Sequence, residues 1–277
     1  MQPPRLDRSF KSRYEGEMQA GARSPVIPVR PDTIRVFMGS SYAQAVPMAA
    51  AGVCAAAGFL AWAARGRSAA VFGPSVWRGP RDRRALALTF DDGPSEDTPR
   101  ILEILARHSV PATFFQIGAN VERLPVVARA AAAADHALGN HSHTHPLFSL
   151  RGAKFIQQEM RRAQEAIEEH TGVRPRWFRA PYGVRWFGVG AAQRRLELTG
   201  VMWTVIGYDW SLNAGAIVKR VAGGVSNGAI VCLHDGRGLT VRPEIGETVE
   251  AVRRLVPMLL DQGYTFETIG QLICPTN

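Results

Sequence analysis

After residue 84 the chain alternates short apolar runs with longer stretches of helical periodicity, and this alternation constrains the fold more than any other feature. Short branched and aromatic runs read as buried strands, and the amphipathic stretches between them supply the crossovers that parallel strands require. The runs fall at 85–90, 112–116, 136–139, 177–179, 202–206, 229–233 and 264–267. Thr98-Pro99 fits the start of a helix running to about His108, and Leu124-Pro125 starts another that ends before Asp135. The stretch 154–170 sets Phe155, Met160, Ala163 and Ile167 on one face ahead of Gly172. A last helix covers about 244–262, and Pro257 predicts a kink in it. Seven strand-helix units in tandem, with no second core, make an α/β barrel one unit short of the eight-fold form. In such barrels the chemistry sits at the C-terminal ends of the strands.

The net charge of +9 raises the question of nucleic acid, and its distribution answers it. Residues 1–84 carry 13 basic and 5 acidic side chains, and the remainder carries 20 and 19, so the halves stand at +8 and +1. The excess surrounds an uncharged stretch, 36–64, with no basic-aromatic strand pattern, and nucleic acid is not an expected partner. Those 29 positions suffice to cross a bilayer, but Gln44, Pro47, Gly52, Gly58 and many alanines dilute them. The expectation is an Ala-rich apolar helix acting as membrane anchor or signal, with a helix packed on the domain as the alternative. Residues 1–35 read as an irregular basic segment broken by prolines, 65–82 as a linker, and Met48 as an alternative start. Cys54, Cys232 and Cys274 are too scattered for a disulfide framework and read as buried small hydrophobes.

Five strand ends carry reactive side chains. The first run ends in Thr89-Phe90-Asp91-Asp92-Gly93-Pro94, where adjacent carboxylates project differently, so one can ligate a metal while the other faces a bound water. After the third run, Asn140-His141-Ser142-His143-Thr144-His145 holds three of the seven histidines. The i, i+4 spacing of His141 and His145 lets both imidazoles meet one ion on a helical turn, with His143 pointing away. With Asp92 as third ligand, open positions remain for water and substrate, as in a catalytic site. Arg179, in Arg179-Ala180-Pro181-Tyr182, needs a carboxylate partner if buried, and Asp91 is the natural one. Asp209-Trp210 and Leu233-His234-Asp235 complete the set, with His234 suited to proton donation near neutrality.

In this order the five segments resemble the motifs of the polysaccharide deacetylases, the NodB-homology family of carbohydrate esterases, over about residues 83–272. The resemblance implies a distorted (β/α)7 barrel as the catalytic domain, 83–277. It implies Asp91 as general base and Asp92, His141 and His145 as ligands of one divalent ion, zinc first and cobalt or another metal next. Arg179 would orient Asp91, and Asp209 would tether Arg179. The Tyr182 backbone N–H would help hold the oxyanion, Trp210 and Leu233 would wall the acetyl pocket, and His234 would be the general acid. Ile206 stands where the family often has an aspartate, which puts one supporting contact in doubt.

The implied activity is removal of N-acetyl groups from N-acetylglucosamine-containing glycans, with release of acetate, by an enzyme anchored in or exported to a bacterial cell envelope. An O-acetyl esterase using the same site and a non-catalytic glycan-binding barrel are the alternatives. Peptidoglycan, chitin-like oligomers, an exported polysaccharide and a lipid-linked sugar all stay open as substrates, and a cytoplasmic location is not excluded.

Overall fold

The structure, a computed structural model, describes residues 40–274, with side-chain environments from Met48 onward; the irregular segment expected at 1–35 lies outside the described residues. Residue contacts divide the chain into two units, Met1–Gly52 and Val53–Asn277. Helix α1 (Ser40–Arg65) occupies the apolar stretch. Among the described residues no helix is long and apolar enough to cross a membrane. The last turn of α1 buries Ala63 and Ala64, whereas Phe59 and Trp62 stay exposed.

The segment expected as a linker packs on the domain instead. Ala69 and Phe72 are buried, and strand β1 (Ser75–Val76) pairs in parallel with β6 (Thr199–Val201). Buried Arg185 donates to the carbonyl oxygens of Gly66 and Ala69, which ties this segment down.

The remaining strands are β2 (Ala85–Asp91), β3 (Thr113–Gln116), β4 (Ala137–Asn140), β5 (Trp177–Phe178), β7 (Val205–Ile206), β8 (Ala229–His234) and β9 (Thr265–Phe266). All pair in parallel, in the order β1-β6-β5-β4-β3-β2-β8-β7, with β9 beside the start of β2. The helices are α2 (Thr98–Arg107), α3 (Gly118–Arg123), α4 (Pro125–Ala133), α5 (Ala153–Thr171), α6 (Val189–Leu196), α7 (Ala214–Gly224), α8 (Gly246–Asp261) and α9 (Ile269–Ile273). Together they form a curled, incomplete α/β barrel. Pro257 lies within α8 without ending it. On α5, Ile156 takes the buried place expected for Phe155, which is 37% exposed.

The strand expected at 202–206 is broken. Only Val205–Ile206 of it is strand, as β7 at one end of the sheet; β6 precedes it beside β1 at the other end, and residues 202–204 run between the two. The Arg179 guanidinium donates to the carbonyl oxygens of Val201 (3.2 Å) and Met202 (3.5 Å) where the chain leaves β6.

Two cores follow from the two-residue period of the strands. Leu86, Leu88 and Phe90 of β2 and Ala229, Val231 and Leu233 of β8 face the helices, in the larger apolar cluster. Ala85, Ala87 and Ile230 face inward, with Phe115, Val201 and Leu272. Continuing the inward series along each strand leads from Ala87 through Thr89 to Asp91, and from Ile230 through Cys232 to His234. Of the cysteines only Cys232 is buried; Cys54 and Cys274 are exposed, against expectation, because neither lies on a core face.

Candidate active site

A cavity of about 510 Å³ opens at the C-terminal strand ends, lined by residues that include Asp91, Asp92, His141, His145, Tyr182, Trp210 and His234. Asp91 and His234 are the last residues of β2 and β8 and lie side by side in register. Asp92 follows immediately, His141 comes directly after β4, and Tyr182 sits in the 3-10 turn Pro181–Gly183.

Asp92, His141 and His145 converge. The Nε2 atoms of the two histidines lie 3.4 and 3.1 Å from Asp92 Oδ1, which is buried and has no hydrogen-bond partner. Three donors each about 2.1 Å from one tetrahedral ion stand about 3.3 Å apart, so the spacing and the nitrogen-and-oxygen donor set fit a divalent cation. The surroundings aim the ligands. The Gly238 N–H donates to Asp92 Oδ2 (3.0 Å), leaving Oδ1 toward the histidines, and His141 Nδ1–H donates to the Arg179 carbonyl (2.7 Å), leaving Nε2 free to ligate. Burial pushes the Asp92 carboxyl up, but the hydrogen bonds and charges of His141 and His145 prevail and hold it well below the usual range.

The histidines do not share a helical turn. Residues 141–145 form a loop that folds back through left-handed backbone at Ser142 (φ 64°) and His145 (φ 57°). Asp92 (φ 75°) and Tyr182 (φ 57°) adopt the same region, which costs non-glycine residues about 1–3 kcal/mol each and is retained where the surroundings enforce it. Glu159 of α5, 5% exposed, is the clamp: its carboxylate accepts from the N–H groups of His143 (3.1 Å) and Thr144 (2.8 Å) and from the Thr144 hydroxyl (3.0 Å). His143 is buried toward Glu122, away from the cavity.

On one flank, fully buried Arg179 donates through Nη1 to Asp91 Oδ1 (2.6 Å) and Thr89 Oγ1 (2.8 Å) and lies over the Phe115 ring (4.1 Å). Asp91 Oδ2 remains on the cavity side, 4.0 Å from His141 Nε2 and 3.5 Å from Cys232 Sγ. Asp91, Cys232 and His234 form a second compact group of potential ligands. It suits a metal less well, because Arg179 already holds Asp91 and burial pushes the Cys232 thiol well up, which opposes the thiolate.

On the other flank, Asp209 does not reach Arg179 as expected. Its carboxylate accepts from His234 Nδ1 (2.8 Å), the His234 N–H (2.8 Å) and the Thr248 hydroxyl (2.8 Å). The split of β6 from β7 explains this: Asp209 follows β7, which pairs with the strand that ends in His234, while Arg179 stands across the cavity after β5. Burial alone would lower the His234 pKa, but hydrogen bonding and charge from Asp209, aided by Asp91 and Asp92, push it up to about 9. Asp209 itself, although burial raises it, is held low by His234 and then by Arg237 and Thr248.

Leu233 is a second correction. It faces the helices, fully buried, and Cys232 takes its expected place in the cavity wall, with Trp203, Ile206 and Trp210. The two-residue period counted back from His234 points to Cys232. Nothing local in the sequence announces Glu159, Gly238 or Thr248, which reach the site from distant segments.

The comparisons agree with this geometry. The family described as polysaccharide deacetylase matches residues 78–201. A chitooligosaccharide deacetylase of Bradyrhizobium is 37% identical over 198 residues, which cover 68% of this chain and 90% of that protein. The crystal structure of the Bc1960 peptidoglycan N-acetylglucosamine deacetylase superposes with a TM-score of 0.68 at 29% identity, over 73% of this chain and 94% of that one. A family pseudoenzyme from Bacillus anthracis superposes at 0.66 with 30% identity, over 73% and 70%. Catalysis in this fold is therefore decided by side chains, and by sequence, fold and ligand set alike the chain belongs to the polysaccharide deacetylase family of hydrolases.

Proposed function

We propose that the chain hydrolyses the acetamide of N-acetylglucosamine-containing glycans, releasing acetate and leaving a free amine. The observation that carries this reading is the placement of a carboxylate anchored to Arg179 and a protonated imidazole anchored to Asp209 on either side of a ligand triad, within one cavity. Asp92, His141 and His145 would hold a divalent ion, and its donor set favours zinc. When bound, the ion polarises the acetamide carbonyl and makes its water acidic enough to attack near neutral pH.

The chain's own groups supply the remainder. Asp91 Oδ2 takes the proton of the attacking water, while Arg179 holds Oδ1 and fixes the direction of attack. The Tyr182 backbone N–H, at the cavity wall, donates to the oxygen on which negative charge develops. The departing sugar amine is a poor leaving group and needs a proton as the C–N bond breaks; His234, charged across the neutral range, donates it. Trp203, Ile206, Trp210 and Cys232 enclose the acetyl methyl and exclude water. Relatives named for chitooligosaccharide and peptidoglycan substrates support an exported or envelope-facing enzyme.

Acetate release from N-acetylated chitooligosaccharides and from peptidoglycan glycan strands tests the reading, and absence of release from both by metal-loaded protein would end it. His141→Ala is expected to lose the metal, read by elemental analysis; undiminished zinc in that variant would overturn the ligand set.

A further inference from the structure

Beside the catalytic cavity lies a second one, of about 810 Å³, between the end of α1 and the length of α7 and bordered by Arg65, Arg67, Lys219 and Arg220. No acidic residue lines it. Five surface arginines elsewhere, Arg100, Arg107, Arg161, Arg174 and Arg253, each pair with a nearby carboxylate. The four cations of this cavity pair with none among the described residues. Two are positioned by neutral groups instead. Arg67 donates to the Thr204 carbonyl, and Arg220 donates through Nε to the Ile206 carbonyl (2.7 Å) while lying over the Tyr208 ring at 4.2 Å. Carbonyls and a ring orient a guanidinium without cancelling its charge, so four exposed like charges border one hollow.

The two cavities are neighbours, since Trp203 and Ile206 line both. A polymer with one acetamide in the catalytic cavity can therefore place a neighbouring residue in the basic one, where Trp203 and Tyr208 offer aromatic surface beside the cations. We infer that the basic cavity binds a carboxylate carried by the same glycan, which makes a carboxylated N-acetylated glycan, rather than a neutral one, the preferred substrate; this rests on the deacetylase reading above. A peptidoglycan strand freed of its peptides carries such lactyl carboxylates, and a chitin oligomer carries none.

Calorimetric titration of the full chain with peptide-free peptidoglycan oligosaccharides and with chitooligosaccharides of equal length provides a readout independent of turnover. The carboxylated glycan is expected to bind about tenfold more tightly at low ionic strength, the sum of two or three exposed ion pairs, with the difference shrinking as salt is added. Arg65→Glu/Lys219→Glu, at two positions that make no recorded side-chain bond, is expected to erase the difference. Equal affinity of the wild-type chain for both glycans, or an undiminished preference in the double variant, would overturn the inference. Binding of phosphatidylglycerol vesicles through the same two residues, without a preference between glycans, would make this a lipid-headgroup site and also overturn it. Acetate release measured on the same samples reports separately on the deacetylase reading.

Discussion

Two buried carboxylates flank one cavity at nearly the same distance from a cation, Asp91 at 2.6 Å from Arg179 and Asp209 at 2.8 Å from His234, and they do opposite work because the cations differ in kind. A guanidinium is a fixed charge. It neutralises and orients Asp91 but gives up no proton, so the reactive atom on that flank is the carboxylate oxygen turned to the cavity. An imidazole titrates, and Asp209 loads it with a proton, so the reactive group on that flank is the cation. In the reaction proposed above, one pairing motif thus serves as a base on one side and an acid on the other.

The largest expected effects fall on these two reactive groups. Asp91→Asn and His234→Ala are each expected to lower kcat by about two to four orders of magnitude while retaining bound metal, as loss of a general base or acid does. Near-normal acetate release by either variant would break the division of labour between the flanks. The anchors come next, and they differ as well. Arg179→Met leaves Asp91 without its buried guanidinium partner and is expected to cost about 3–5 kcal/mol of stability by denaturant titration. A loss below about 1 kcal/mol would mean that Asp91 does not depend on the pair.

Which of these residues could be read from the sequence follows from where their contacts come from. Asp91, Asp92, Arg179 and His234 were legible because each ends or follows an apolar run, and barrel strands deliver such residues to one rim. The histidine pair was legible in spacing but not in conformation. The loop folds back through left-handed residues enforced by Glu159, which is more than a dozen positions away in the sequence, and no local propensity predicts that. The roles given to Leu233 and Asp209 failed for topological reasons. Strand alternation turns Leu233 to the helices, and the division of 199–206 between two ends of the sheet carries Asp209 to the His234 side. The packed segment at 65–82 was read as a linker because its charges and prolines mask a two-residue strand whose partner, β6, was itself unrecognised.

The smallest effect, and the one that sharpens the contrast between the flanks, is Asp209→Asn. Asparagine keeps the shape and an acceptor for the Thr248 hydroxyl but removes the charge that holds the His234 proton against burial. In the wild-type protein the acid is charged below its raised pKa and is lost as pH climbs through it. The alkaline limb of kcat/KM is therefore expected at or below about 9, since a cation bound by Asp92 opposes the same proton. In the variant burial is no longer outweighed, the His234 pKa falls, and the limb moves to lower pH. Activity near neutrality is expected to drop about tenfold, less than on deleting the imidazole, because part of the population still carries the proton. A pH profile of acetate release from pH 5 to 10 measures the displacement directly. An alkaline limb at the same pH in both proteins would assign it to another group and leave Asp209 a packing role.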